Sequence, residues 1–134
     1  MNDLAAPLGP VAKLRLAAEI LVVYARVRLR LRRQGLPWTR DSLRAHGQGG
    51  VDAAGAARAA RAVTAVLRLL PTDSRCLITS LVLIGVLARR GGSASLVIGV
   101  VPEPTFAAHA WVEFDGVPLL RTGSARHGRL AELR

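Results

Sequence analysis

The chain carries one cysteine, Cys76, and three histidines, His46, His109 and His127. Cys76 follows Pro71-Thr72-Asp73-Ser74, where a proline stops one helix and three short polar side chains supply cap chemistry for the next. The thiol therefore falls in a helix's first turn, where orphan backbone N–H groups and the helix dipole favour an anion and suit a nucleophilic thiolate. Arg75 beside it adds positive charge. A lone cysteine also serves as a small buried hydrophobe, and placement alone leaves both uses open. His109 sits in Ala107-Ala108-His109-Ala110-Trp111-Val112-Glu113-Phe114. Strand alternation puts His109, Trp111 and Glu113 on one face and Ala108, Ala110, Val112 and Phe114 on the other. An imidazole among alanines has room beside it for a thiolate and a substrate carbonyl, and Cys with His is the minimum apparatus of nucleophilic acyl transfer. A half-buried strand histidine with one satisfied nitrogen fits the same residues. His46 and His127 lie in polar, glycine-containing segments and read as surface residues.

The chemistry needs a helix to present Cys76 and a strand to present His109. The helix is predicted from about Arg75 to Arg90, ended by Gly91-Gly92, with Arg89 and Arg90 in its last turn. Ser95 to Val101 is a β-branched run of strand length, and Pro102 and Pro104 bracket a loop. Phe106 to Phe114 follows as a second strand, Asp115-Gly116 signals a tight hairpin, and Val117 to Leu120 returns. Arg121 to Arg134 reads as a loop with a short helical turn. Upstream, apolar periodicity predicts a long helix over Pro10 to Arg33, ended by Gly35-Leu36-Pro37, with Thr39 or Asp41 capping a short helix after it. Ala53 to Leu70 is a second substantial helix, stopped by Pro71. Gly47-Gln48-Gly49-Gly50 is a loop between them, since it lacks the Lys-Ser/Thr of a phosphate cradle and the spacing of a dinucleotide site.

At 134 residues the chain allows one domain, read as 1–134 with a helical segment over 1–50 and a core over 53–134. A hydrophobic share of 51% excludes disorder for most of the length, and a single cysteine excludes a disulfide scaffold. Nothing resembles a signal peptide or a membrane span, so the expected location is cytoplasmic. The net charge of +10 must attract acidic partners. Arg26 to Arg33 alternates basic and apolar residues. It fits either a basic strip for an acidic peptide, nucleic acid or membrane surface, or a solvated helix face whose leucines pack inward while arginine stems snorkel.

Several segments together resemble a known family. Arg75-Cys76-Leu77, the helix end Leu87-Ala88-Arg89-Arg90-Gly91-Gly92, Leu96-Val97-Ile98-Gly99-Val100 and Ala108-His109-Ala110-Trp111-Val112-Glu113 with Asp115-Gly116 are similar to the peptidase half of the lasso-peptide biosynthesis B protein, a transglutaminase-like cysteine peptidase. The resemblance covers roughly Ala57 to Leu120. It implies an α+β, papain-like or transglutaminase-like fold, with N-terminal helices and a Cys-bearing helix packed on a small antiparallel sheet. It further implies removal of the leader from a ribosomally made lasso precursor, with Cys76 as nucleophile and His109 as general base. No cofactor and no metal are implied. The partners implied are a separate leader-binding protein, the precursor peptide and the lasso cyclase, with no specific nucleic acid. Trp111 and Glu113 belong to the family pattern as supporting residues.

The family's third catalytic residue is an Asp about 12 residues after the His, and that slot holds Arg121 here. A two-residue Asp115-Gly116 turn sets Thr122 opposite His109, a one-residue change in register brings Arg121 or Gly123 there instead, and none of the three is a carboxylate. Glu113 lies about 13 Å along the strand from His109, too far to orient it directly. Thr122, a backbone carbonyl, a water or a folded-back carboxylate such as Glu132 remain as orienting groups, and an inactive relative is the other outcome. Two rival functions stand beside leader cleavage. One is a non-catalytic basic binding module using Arg26 to Arg33 with Arg58, Arg61 and Arg68, disfavoured by an aromatic content of only 4%. The other is a transglutaminase or amidase using the same Cys/His pair.

Overall fold

A computed structural model of the chain describes residues 9–42, 50–70, 75–92, 94–101, 107–120 and 128–133. Its elements run α1 (Pro10–Ser42), α2 (Ala53–Leu67), α3 (Arg75–Ala88), β1 (Ser95–Val101), β2 (Ala107–Phe114), β3 (Val117–Pro118) and β4 (Gly128–Leu133). The fold is α+β, with the helices preceding a small antiparallel sheet.

The packing follows from α3. Its residues Ile78 to Ala88 are all buried, so this helix has no solvent face along most of its length. A helix apolar all round needs cover on every side. α1 supplies Leu16, Ile20, Val23 and Val27, spaced by four, three and four residues as one stripe of a helix. α2 supplies Ala56, Ala59, Ala60, Val63 and Leu67, and its alanines let the two helix axes approach closely. The sheet supplies Leu96, Ala110, Val112 and Phe114 from one face.

Both ends of the helical layer are chemically fixed. Asp52 caps α2 by accepting a hydrogen bond from the Gly55 N–H at 2.7 Å. α3 ends with Gly91 at φ 79°, the Gly92 N–H donating to the Leu87 carbonyl at 2.9 Å and the Gly91 N–H to the Ala88 carbonyl at 3.1 Å. That is a Schellman motif, with glycine at the left-handed position. Just beyond the helix, Arg90 reaches back to α1 and pairs with both carboxylate oxygens of Glu19, at 2.6 and 2.8 Å, while Arg89 Nε lies 3.2 Å from the same group.

The strand order is β3-β2-β1-β4, every pair antiparallel. Asp115 and Gly116, at φ 51° and 78°, form the two-residue turn between β2 and β3, the primed geometry that matches strand twist. The register Phe114↔Val117 and Glu113↔Pro118 continues in the hydrogen bond from the Leu119 N–H to the Val112 carbonyl.

Four expectations change, the first being the return strand, which spans Val117–Pro118 and not Val117 to Leu120, Pro118 having no N–H to extend the ladder. α1 does not stop at Gly35-Leu36-Pro37 but continues to Ser42, so no separate short helix capped by Thr39 or Asp41 forms. Pro37 removes one helical N–H and disfavours the helical conformation before it, and the helix runs through both costs. The expected loop and helical turn at the C-terminus is instead a strand over Gly128–Leu133 beside β1. Leu, Ala and Glu are good helix formers, but a free edge of β1 offers a row of backbone groups to pair, and tertiary pairing outweighs local propensity. α2 ends at Leu67, followed by a tightened turn over Arg68 and Leu69, short of the expected Leu70. The cap residues Thr72, Asp73 and Ser74, together with His46, Arg121, Thr122 and His127, lie outside the described residues.

The basic strip of α1 divides by face. Val27 is fully buried and Leu31 half-buried, Arg26, Arg30, Arg32 and Arg33 are exposed, and Arg28 donates to the Tyr24 hydroxyl at 2.8 Å. Leu29 departs from the inward-packing expectation, being 49% exposed. Among the described residues no helix is long and apolar enough to cross a membrane.

Glu19 joins α1 to the end of α3 through two arginines. Glu19→Ala is expected to lower unfolding free energy by about 1.5–3 kcal/mol, the worth of hydrogen bonds to charged groups. Glu19→Gln should recover part of that loss, and urea-unfolding midpoints of the three proteins check both.

Candidate active site

Cys76 is the second residue of α3, and its local placement is set by the residue before it. The Arg75 guanidinium donates to the Leu67 carbonyl at 2.6 Å and to the Leu70 carbonyl at 3.2 Å, both at the end of α2. The Leu67 carbonyl also accepts from the Leu70 N–H at 3.2 Å, and through the two carbonyls Arg75 ties the start of α3 to the end of α2. The sequence suggested only that Arg75 adds charge beside the thiol; its geometry makes it a clamp on the segment that carries Cys76. One turn further on, the buried Ser80 hydroxyl donates to the Cys76 carbonyl at 2.7 Å.

His109 lies on β2, directly opposite Gly99 of β1. A cross-strand neighbour without a side chain leaves the imidazole uncrowded from that side. The ring stacks on Trp111, with centroids 6.1 Å apart and planes 26° from parallel. Trp111 in turn donates its indole N–H to a Glu113 carboxylate oxygen at 2.9 Å. Trp111 and Glu113 are both buried, while His109 is half-buried. The three same-face residues of β2 therefore form one supported row. Glu113 holds Trp111 by a hydrogen bond, and Trp111 carries the ring of His109. This is how a carboxylate too far away to orient the histidine directly still bears on its position.

Cys76 and His109 line one cleft, of about 610 Å³, framed by α2, the start of α3, β2 and Leu119–Leu120 beyond β3. Cys76 is half-buried and its thiol is free. Thr79, one turn along α3 from Cys76, lines the same cleft, as do Arg61, Thr64 and Arg68 of α2. Thr79 is legible from helical spacing once Cys76 is singled out, and the spacing of Arg61 and Arg68 already marked a series on α2. Leu119 and Leu120 had no such signal. Among the described residues no group of His, Cys, Asp and Glu is assembled to hold a metal ion.

A helix carrying Cys near its N-terminus, followed by an antiparallel sheet carrying His and sharing a cleft with it, fits the architecture expected from the motifs. The family model described as the transglutaminase-like superfamily matches residues 21–134, from within α1 to the last residue. The chain belongs to the transglutaminase-like superfamily. This is the domain class of the lasso-peptide biosynthesis B proteins that its motifs resemble. The match reaches well beyond the Ala57 to Leu120 span of those motifs, taking in most of α1 and all of β4, so both belong to the transglutaminase-like unit. No curated protein and no solved structure matches the chain significantly.

The row on β2 of this transglutaminase-like domain has a measurable consequence. Glu113→Ala leaves a buried indole N–H without its acceptor, which is expected to cost about 1–3 kcal/mol of stability. Glu113→Gln keeps an acceptor oxygen and should cost clearly less. Equilibrium urea unfolding of the two variants checks the order.

Proposed function

We propose that the domain is a cysteine peptidase that removes the leader from a lasso-peptide precursor. The observation that carries the reading is the shared cleft of Cys76 and His109, in a chain whose motifs resemble the leader-peptidase half of the lasso B protein.

Cys76 attacks the scissile carbonyl after His109 takes the thiol proton, giving a tetrahedral oxyanion. In this reading the Cys76 backbone N–H, at the start of α3 and so without an acceptor within that helix, is the donor to that oxygen. Collapse breaks the C–N bond, His109 returns its proton to the leaving amine, and the leader remains as a thioester on Cys76. Water, deprotonated by His109, then releases the leader acid and restores the thiol. The freed amine is the group a separate ATP-dependent cyclase would close into a ring. A separate leader-binding protein would deliver the precursor by adding the leader as a strand to its own sheet.

In this reading His109 works as the base of a dyad, its ring held by Trp111, with Thr122 or another group beyond the described residues as the direct orienting partner. Such a base is weaker than one held by a carboxylate but need not be inactive, because the orienting residue tunes the base without being the nucleophile.

The test is the mass of a lasso precursor after incubation with the protein and its cognate leader-binding protein. Cys76→Ala and His109→Ala are expected to reduce the cleavage rate by at least about a thousandfold, and Arg121→Asp to raise it. Cleavage that survives Cys76→Ala overturns the reading. Cleavage that appears only with Arg121→Asp identifies a decayed peptidase.

A further inference from the structure

A second hollow, of about 510 Å³, lies between α1 and α2 beside the catalytic cleft. Lys13, Arg58 and Arg61 line it over an apolar floor that includes Leu16, Ile20 and Val66. Arg61 and Ala65 line both hollows, so the two meet along α2. Arg58, Arg61 and Arg68 stand three and seven residues apart, which at 100° per residue keeps them within about 80° of arc on one face of the helix and its following turn. From Arg58 to Arg68 the rise is about 15 Å, the length of four or five residues of extended chain.

These arginines are not used by the fold as others are. Arg28 bonds Tyr24, Arg75 bonds two carbonyls, and Arg89 and Arg90 pair with Glu19. Arg61 and Arg68 are exposed, and among the described residues no carboxylate pairs with them. Among the described residues no acidic side chain lines either hollow. Arg58 is half-buried, and its Nη1 is buried with no hydrogen-bond partner among the described residues. Such a group is costly unless something completes it. Among the described residues neither hollow has Phe, Tyr or Trp in its lining and His109 is the one aromatic ring there, a poor platform for a run of stacked bases, while a floor of Leu, Ile and Val suits aliphatic side chains.

We propose that Arg58, Arg61 and Arg68 form a track that binds an extended, carboxylate-bearing stretch of peptide and leads it from the α1/α2 groove into the Cys76 cleft. Arg58 closes on a carboxylate in the groove, Arg61 marks the junction, and Arg68 stands beside the cleft that Cys76 lines. Calling that peptide the substrate rests on the leader-peptidase reading; the binding itself does not.

The test is fluorescence anisotropy of a labelled octapeptide of alternating Glu and Leu, against the same peptide with Gln for Glu, on the full chain at about 0.1 M salt. The acidic peptide is expected to bind at least about tenfold more tightly than the neutral one, and Arg61→Glu with Arg68→Glu to remove that preference. Arg61→Gln with Arg68→Gln should weaken acidic-peptide binding in the same direction without reversing charge. The control is Arg26→Glu with Arg30→Glu on α1, exposed positions with the same change in charge, which should alter binding less than about threefold. Equal loss in the control means attraction to bulk charge and overturns the track. Equal binding of the two peptides overturns it as well. Tighter binding of an oligouridylate of equal charge, lost in the same α2 variants, would make the surface one for nucleic acid and likewise overturn the peptide assignment. The assay involves no turnover, so its failure leaves cleavage at Cys76 standing, and failure of cleavage leaves its result intact.

Discussion

The need to cover α3 on every side organises this molecule. Eleven successive residues, Ile78 to Ala88, are buried, and Ile78, Leu81, Val82, Leu83, Ile84, Val86 and Leu87 bring a large apolar surface around the whole circumference. At roughly 1.5–3 kcal/mol for each large side chain taken out of water, no single neighbour could satisfy that demand. α1, α2 and the sheet each cover one side, and their own buried stripes are complementary to it. The cover is complete over the body of the helix and thins at its first turn. Arg75 is exposed there and Cys76 half-buried, and that is where the cleft shared by Cys76 and His109 opens. The site is located by the end of the core as much as by any residue in it.

A reactive group at the edge of a core needs a rigid mount, and each of the two groups has one. Cys76 is carried on a helix whose start is clamped to α2 by Arg75 and whose far end is tied to α1 by Arg89, Arg90 and Glu19. His109 is carried on a strand hydrogen-bonded on both sides in the sheet, with its ring resting on Trp111. Sites built on helices and strands hold their geometry better than sites on loops, and fixed geometry is a main source of rate in acyl transfer. The connection from α3 to β1 is short because the Schellman turn at Gly91 reverses the chain at once. Gly92 is also close-packed, since a Cβ there would come within 3.1 Å of Val51.

Much of this was legible in the residues. α3, β1, β2 and the Asp115-Gly116 turn were punctuated by glycine, proline and clear changes in periodicity, and each formed within a residue or two of expectation. Alternation on β2 put His109, Trp111 and Glu113 on one face, and the stacking and hydrogen bond between them follow from that placement. The elements misread were those decided by distant contacts. Pro37 carries a strong local stop signal that the helix overrides. Gly128–Leu133 carries helix-forming residues that pair with β1, although nothing nearby in sequence announces a free strand edge. The meeting of the Cys76 helix with the His109 strand was expected from the motifs, but the α2 wall of the cleft was not, because it joins residues that lie up to some fifty positions apart.

In the triad pattern that the motifs resemble, a carboxylate orients the histidine, and the slot which that resemblance gives it holds Arg121 here. A carboxylate hydrogen-bonded to an imidazole does two things: it fixes the plane of the ring and selects the tautomer whose other nitrogen faces the nucleophile. Stacking on Trp111 can supply the first, since it restrains the plane through contact with an indole that Glu113 itself holds in place. It cannot supply the second, because a ring face does not distinguish one nitrogen from the other. The tautomer of His109 is therefore set by the hydrogen bonds of its ring nitrogens and not by the seat of the ring on Trp111. Among the described residues β3 pairs with β2 only at Glu113↔Pro118 and Phe114↔Val117, so the hairpin braces the Glu113 end of the row, while His109 at its other end faces Gly99 of β1.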